Sequence, residues 1–303
     1  MTIDRKYKFS GHQTFVFRHG WLEKGVLAVE KYPTIFSRED APVRLGVGKN
    51  MAESIKHWCL VTQLIEEHRD GGNQAFQVSP LGRKLLLHWD PFLENDASLW
   101  LIHWLLVTNP HIGTTWELVF GEFFRPDFSK RELVEYTMSF ATKHSLKVQE
   151  GSVARDADCF IRTYASANDT AKQTIREDTF DCPLLALNLI QPCADGEIYR
   201  FAIGPKPTLP AVIVAFALNQ YFDRTLKGGN TLSIQECLYG TDSPGQVFKL
   251  DENTLLEYIE EIEDLTGKDV LLDESAGLKQ IYRRHPLDVY HLVSRYYGVE
   301  ARK

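Results

Sequence analysis

Between Leu45 and Leu87 the chain reads LGVGKNMAESIKHWCLVTQLIEEHRDGGNQAFQVSPLGRKLLL, and no other stretch restricts the fold as much. The glycines of LGVGKN suit a turn. A helix follows, with Met51, Ile55, Trp58, Val61 or Thr62, and Ile65 recurring at a period near 3.6. His68–Gln74 is a hairpin signal, because Gly71 and Gly72 accept the positive φ that a tight two-residue turn requires. Ala75–Val78 alternates as a short strand. Ser79-Pro80 then opens a second helix, with proline at the first helical position, where its missing N–H costs nothing. Helix, strand, turn, strand, helix is the order of a winged helix-turn-helix with a trailing helix.

The rest of the chain predicts helices. Leu99–Val107 and Ala211–Leu218 are the longest apolar runs, too short to span a bilayer, and are expected to be buried. Ser129 and Glu132 form a capping box ahead of Leu133, Tyr136, Thr137 and Phe140. A helix is expected after Pro210. Asp251–Leu265 reads as an acidic amphipathic helix with Leu255, Ile259 and Ile262 on one face. Ser243–Phe248 reads as a turn around Pro244-Gly245. The expected fold is mainly α with a small β component: an N-terminal winged helix-turn-helix domain over residues 1–91 and a larger helical C-terminal domain over residues 92–303.

Composition bounds the function classes. The net charge of -7 argues against indiscriminate coating of DNA. The first 90 residues nevertheless hold 13 Lys/Arg against 10 Asp/Glu, so a phosphate-facing surface is expected there. The opening MTIDRKYKFS has no charged-then-apolar export signal, and a soluble, cytoplasmic protein without a membrane partner is expected. The five cysteines, Cys59, Cys159, Cys182, Cys193 and Cys237, form no CxxC pair and are expected to be reduced, buried thiols.

Three groups of residues carry candidate chemistry. The polar face of the 49–61 region offers Lys49, Asn50, Ser54, Lys56 and His57, with Arg69 at the wing and Arg83 and Lys84 on the next helix. A winged helix places such a face in the major groove and its hairpin along the backbone, and Lys49 and Asn50 sit where helix N–H groups favour phosphate. Glu53 weakens this patch, and a protein-contacting winged helix is the competing reading. Gly11–Gly25 holds His12, Gln13, Arg18, His19 and Lys24. Here Arg18 is a candidate phosphate grip and His12 a candidate base or metal ligand, or else part of a turn whose polar groups satisfy buried backbone. In SVARDADCFIRTY (Ser152–Tyr164), Asp156 and Asp158 share a face if the segment is a strand, flanked by Arg155 and Arg162. That set suits a divalent cation, Mg²⁺ or Mn²⁺, acting on a phosphodiester. An ion-pair network between two helices explains it equally well. LGVGKN has neither phosphate-loop nor dinucleotide-loop spacing, and no nuclease signature is readable.

GHQTFVFRHGWLEKG, LGVGKNMAESIKHW, SPLGRKLL and SVARDADCFIRTY, taken together and in order, resemble a bacterial domain-of-unknown-function family met in DNA phosphorothioation and related phage-defence operons. The likeness extends through DCPLLALNLI (181–190) and SPGQVFKLDENTLLEYI. The resemblance implies a protein that nicks or binds DNA so that sulfur can replace a non-bridging phosphate oxygen. It would act beside a cysteine desulfurase, a sulfur-transfer protein and an ATPase of the same operon. A nickase would use Asp156 and Asp158 to hold the ion, Arg155 or Arg162 to stabilise negative charge, and His12 as base. The alternative is a non-catalytic recognition adaptor that recruits those partners.

Overall fold

In the computed structural model, residues 7–109, 112–165, 182–193, 196–226, 228–275 and 277–299 are described. Asp181, the first residue of DCPLLALNLI, lies outside them. The chain divides into two compact units, one formed by residues up to 119 with 124–201 and the other by 120–123 with 202–303. This division falls more than a hundred residues beyond the expected boundary near residue 92. The reason is a set of long-range contacts: the side chain of Asp156 receives hydrogen bonds from Ser10, His12 and Thr115, which binds the N-terminal segment into the same body as the 150–164 region.

The first unit opens with helices α1 (Trp21–Lys31), α2 (Ala41–Leu45) and α3 (Lys49–Val61). Ile55, Trp58, Cys59 and Val61 of α3 are fully buried, as the 3.6-residue period requires. Helix α1 packs on α3. Gly25 permits the approach, because a Cβ there would run into the Cys59 thiol. The antiparallel hairpin β1 (Ile65–Asp70) and β2 (Asn73–Val78) follows, closing at Asp70↔Asn73. Gly71 and Gly72 have φ of 55° and 89°, the left-handed values on which the hairpin reading rested. Helix α4 (Pro80–Lys84) is capped by Ser79, whose hydroxyl accepts the Gly82 N–H at 2.9 Å, and it continues into one π-helical turn over Leu85–Trp89.

Helix α5 (Asp96–Val107) is buried at every position from Ala97 onward, so it forms the centre of this unit. Its one imidazole, His103, is satisfied there by the Tyr164 hydroxyl at 2.8 Å. Helix α6 (Thr114–Glu117), strand β3 (Asp127–Ser129), helix α7 (Lys130–Lys143) and helix α8 (Glu150–Tyr164) complete the set, with β4 (Ile190–Pro192) and β5 (Ile198–Phe201). The sheet order is β3-β5-β4, all antiparallel. The expected capping box is formed: the Ser129 hydroxyl accepts the Glu132 N–H, and the Glu132 carboxylate accepts the Ser129 N–H.

The second unit is built around the helix Ala211–Thr225, which begins after Pro210 as expected and packs against the helices Glu252–Leu265 and Val289–Tyr296. Leu255, Ile259 and Ile262 are fully buried, and Asp251 caps their helix through the Thr254 N–H at 2.8 Å. A three-stranded antiparallel sheet has the order β6 (Thr231–Ser233), β8 (Leu278–Arg283), β7 (Val270–Ser275). Ser243–Phe248 is not a turn. Ser243 caps a short helix, Pro244–Phe248, and Lys249 ends it in the left-handed region with φ 53°. The cysteines are unpaired, and all but the half-buried Cys193 are buried. Among the described residues no helix is long and apolar enough to cross a membrane.

Candidate functional site: the N-terminal strap and the face of helix three

The strap that precedes α1 is unusual in its backbone. Ser10, Gln13 and Thr14 all have φ between 51° and 67°, although none is glycine. Each such residue costs on the order of 1–3 kcal/mol and persists only where its surroundings hold it. Here the surroundings are visible. The Ser10 N–H and the His12 Nε2 both meet Asp156 Oδ1 at 2.8 Å, and the Thr115 hydroxyl donates to Oδ2 at 3.1 Å. The Thr14 N–H donates to His12 Nδ1 at 3.1 Å, so Nε2 carries the proton that bonds Asp156. The Ser54 hydroxyl and the Trp58 indole N–H hold the carbonyls of His12 and Phe15, and Arg162 holds the carbonyl of Thr14 at 2.7 Å. His12 and Asp156 are 1% and 2% exposed. They form the inner knot that fastens the strap to α8 and α3.

This geometry corrects two expectations. Residues 152–164 form a helix, not a strand, so Asp156 and Asp158 project to different sides of α8. Asp156 points inward with both oxygens engaged. Asp158 is on the surface, 2.8 Å from the Lys130 ammonium and 3.4 Å from Arg162. The reading of this segment as an ion-pair network joining two helices is the one realised, since Lys130 opens α7. Magnesium takes a near-octahedral shell that keeps several waters. Neither an enclosed Asp156 nor an Asp158 already paired with two cations fits it. Among the described residues, no group of three or more His, Cys, Asp and Glu side chains is placed to hold a metal ion. Arg155 lies on the surface, bonded to the Ser152 hydroxyl at 3.0 Å.

The residues expected to touch DNA separate into groups. Lys49 and Asn50 are exposed in the first turn of α3, behind Gly48. Lys56 is half-buried and paired with Glu53 one turn earlier. His57 is not on the polar face at all. It is buried against the rings of His12 and Trp58, its Nδ1 has no hydrogen-bond partner among the described residues, and burial holds its pKa well below 6.5, helped by His12, Lys8 and Lys56. Gly11 lies so close that a Cβ would overlap the His57 ring. Arg69 is exposed on the hairpin. Arg83 is engaged in a two-pronged pair with Glu30, at 2.7 and 2.6 Å. Lys84 lies 5.9 Å from the Trp89 ring centroid. Arg18 lies over Phe15 and Trp21, at 5.6 and 5.4 Å from the ring centroids, and Lys24 donates to the Leu45 carbonyl at 3.1 Å.

Sequence reasoning did not find Ser10 and Thr115, which share Asp156 with His12 from 146 and 41 residues away. No local signal marks them. It also passed over Lys206 and Lys249 of the second unit. The Lys206 ammonium donates to the carbonyls of Ala202, Gly204 and Lys249, and that of Lys249 to the Phe120 carbonyl at 3.0 Å. Desolvation pushes Lys206 down to about 8 and Lys249 down to about 7. Only Lys249 carried a local signal, as a single lysine between Val247-Phe248 and Leu250; Lys206 lies in the Gly/Pro-rich GPKPTLP, which gives none.

The comparisons with known proteins agree with this architecture. The crystal structure of SspB superposes with a TM-score of 0.89 and 27% identity, covering 99% of this chain and 91% of that one. A magnesium ion-bound SspB crystal structure gives 0.88 and 28%, covering 98% and 89%. No curated protein matches the chain. The family model described as a protein of unknown function, DUF4007, matches residues 9–297, from the strap to the last helix, and the chain belongs to that family.

Proposed function

We propose that this protein is a DNA-binding, DNA-nicking component of a bacterial phosphorothioation system that serves phage defence. The observation that carries the reading is the end-to-end likeness to SspB, which leaves no major part of either chain unmatched. The family resemblance supplies the rest: a protein that opens or positions the DNA backbone for sulfur insertion, alongside a cysteine desulfurase, a sulfur-transfer protein and an ATPase.

The DNA-facing surface in this reading is a winged helix-turn-helix, with α3 presenting Lys49, Asn50 and Lys56 and the β1–β2 hairpin presenting Arg69. These side chains are at the surface or half-buried, and the order of elements suits groove docking by α3. His57 and Asp156 are buried, and Arg83 and Asp158 are already paired with Glu30 and Lys130, so none of the four meets DNA in this reading. His12 and Asp156 act by holding the strap. A related SspB crystal structure is magnesium ion-bound, which makes Mg²⁺ the first ion to test.

One observation favours a second reading. The candidate acid–base pair, His12 and Asp156, is enclosed, as a recognition adaptor without a reaction centre would allow. Supercoiled plasmid separates the two. With Mg²⁺ or Mn²⁺, the nicking reading expects open-circle product that chelator abolishes. Bound but intact plasmid would instead establish the adaptor.

A further inference from the structure

We infer that the cleft between α1 and α2 is a binding site for an unpaired nucleotide of single-stranded DNA, separate from the groove-facing surface of α3. This deepens the proposed function and rests on it. The cleft has a volume of about 650 Å³ and is lined by both helices and the turn that follows α1. That size lies within the range of small-molecule sites, roughly 300–1,000 Å³.

Its chemistry is that of a phosphate and a flat ring. Lys24, Lys31 and Arg44 line it together with the single carboxylate of Glu23. Tyr32 is 39% exposed at its wall. The Lys31 ammonium and the Arg44 guanidinium lie 5.3 and 5.1 Å from the Tyr32 ring centroid, so cations and the aromatic face already form one assembly. Trp21 adds a second ring to the lining. The cations are positioned rather than loose. Lys24 is anchored on the Leu45 carbonyl, and Arg44 is braced by Asp40, whose carboxylate it shares with Arg38. Gly46, left-handed at φ 64°, ends α2 immediately after Arg44 and Leu45.

Base-on-aromatic stacking beside a basic wall is the means by which proteins hold unpaired strands without reading sequence. In a duplex the flat faces of the bases are stacked away, so a concave pocket with an aromatic wall selects an unpaired nucleotide. For a nicking protein such a place would hold a nucleotide that frays from the duplex at the cut. An acidic peptide would satisfy the cations but leave the ring assembly unused.

The test is fluorescence anisotropy of the full chain with labelled oligo(dT) and, separately, a blunt duplex. Tyr32→Ala is expected to weaken oligo(dT) binding roughly tenfold, with Tyr32→Phe near wild type and duplex binding unchanged. Lys24→Ala with Lys31→Ala is expected to flatten the salt dependence of oligo(dT) binding by about 1.4 in the log–log slope, roughly 0.7 per phosphate contact; it decides the matter if Tyr32→Ala does not fold. Oligo(dT) binding that ignores both variants, equal losses on duplex, or displacement of oligo(dT) by poly-glutamate at matched charge would overturn the site. Wild type that binds duplex but not oligo(dT) overturns this inference alone. Wild type that binds neither overturns the proposed function as well.

Discussion

At the scale of single residues, His57 and Asp156 define how the strap is held. His57 is buried, and its pKa is depressed below 6.5 by desolvation first and by nearby cations second. The unfolded chain therefore binds a proton that the native chain refuses, and stability rises with pH wherever the unfolded state binds more protons. Its contribution is fully present above pH 6.5 and is lost as pH falls below that value. Urea unfolding between about pH 5 and 7.5 should show a decline toward acid that His57→Phe flattens. An unchanged slope would remove His57 as the source. Asp156→Ala strands the His12, Ser10 and Thr115 donors in a closed interior. It is expected to lower unfolding free energy by about 3–5 kcal/mol, the range for breaking a buried pair. A loss below about 1 kcal/mol, the scale of a surface ion pair, would mean that the knot is not what holds the strap.

At the scale of elements, caps and faces were legible because their signals are local. The Ser129–Glu132 box, the Gly71-Gly72 hairpin and the stripe Leu255, Ile259, Ile262 each lie within a few residues of one another and folded as read. Ser129→Ala should cost about 1 kcal/mol, measured by thermal or urea unfolding. The shared face considered for Asp156 and Asp158 held only if their segment were a strand, and it is helix α8. The apolar positions Val153, Ala157, Phe160 and Tyr164 carry a helical spacing, and their burial outweighs the two carboxylates. The candidate site was legible only in part. Lys49 and Asn50 could be placed on a polar face by periodicity. The enclosure of His12 and Asp156 could not be, since it depends on contacts 144 residues apart. Pairing within α3 has a direct consequence. Glu53 occupies Lys56, so Glu53→Gln should tighten DNA binding, whereas Lys49→Ala should weaken it and reduce the salt slope by about 0.9, one phosphate contact. Equal affinities for both variants would remove α3 from the DNA surface.

At the scale of the whole molecule, the two units face pH differently. In the second unit Lys249 is pushed down to about 7 by burial, against 10.5 in the unfolded chain. Between those values the unfolded state carries the extra proton, so this unit should gain stability as pH rises from 7 toward 10.5, and Lys249→Met should reduce that rise, leaving the part that Lys206 supplies above about 8. A wild-type profile that is flat across this window would contradict it. The proposed role as a DNA-handling protein rests on the first unit and on likeness along the entire chain. Its most direct test is the affinity of the full-length protein for duplex DNA measured across a salt series. The expected result is binding at low salt whose logarithm falls linearly with the logarithm of salt concentration, with a shallower slope for Lys49→Ala. No binding at low ionic strength, or binding indifferent to salt and to Lys49, would contradict the claim.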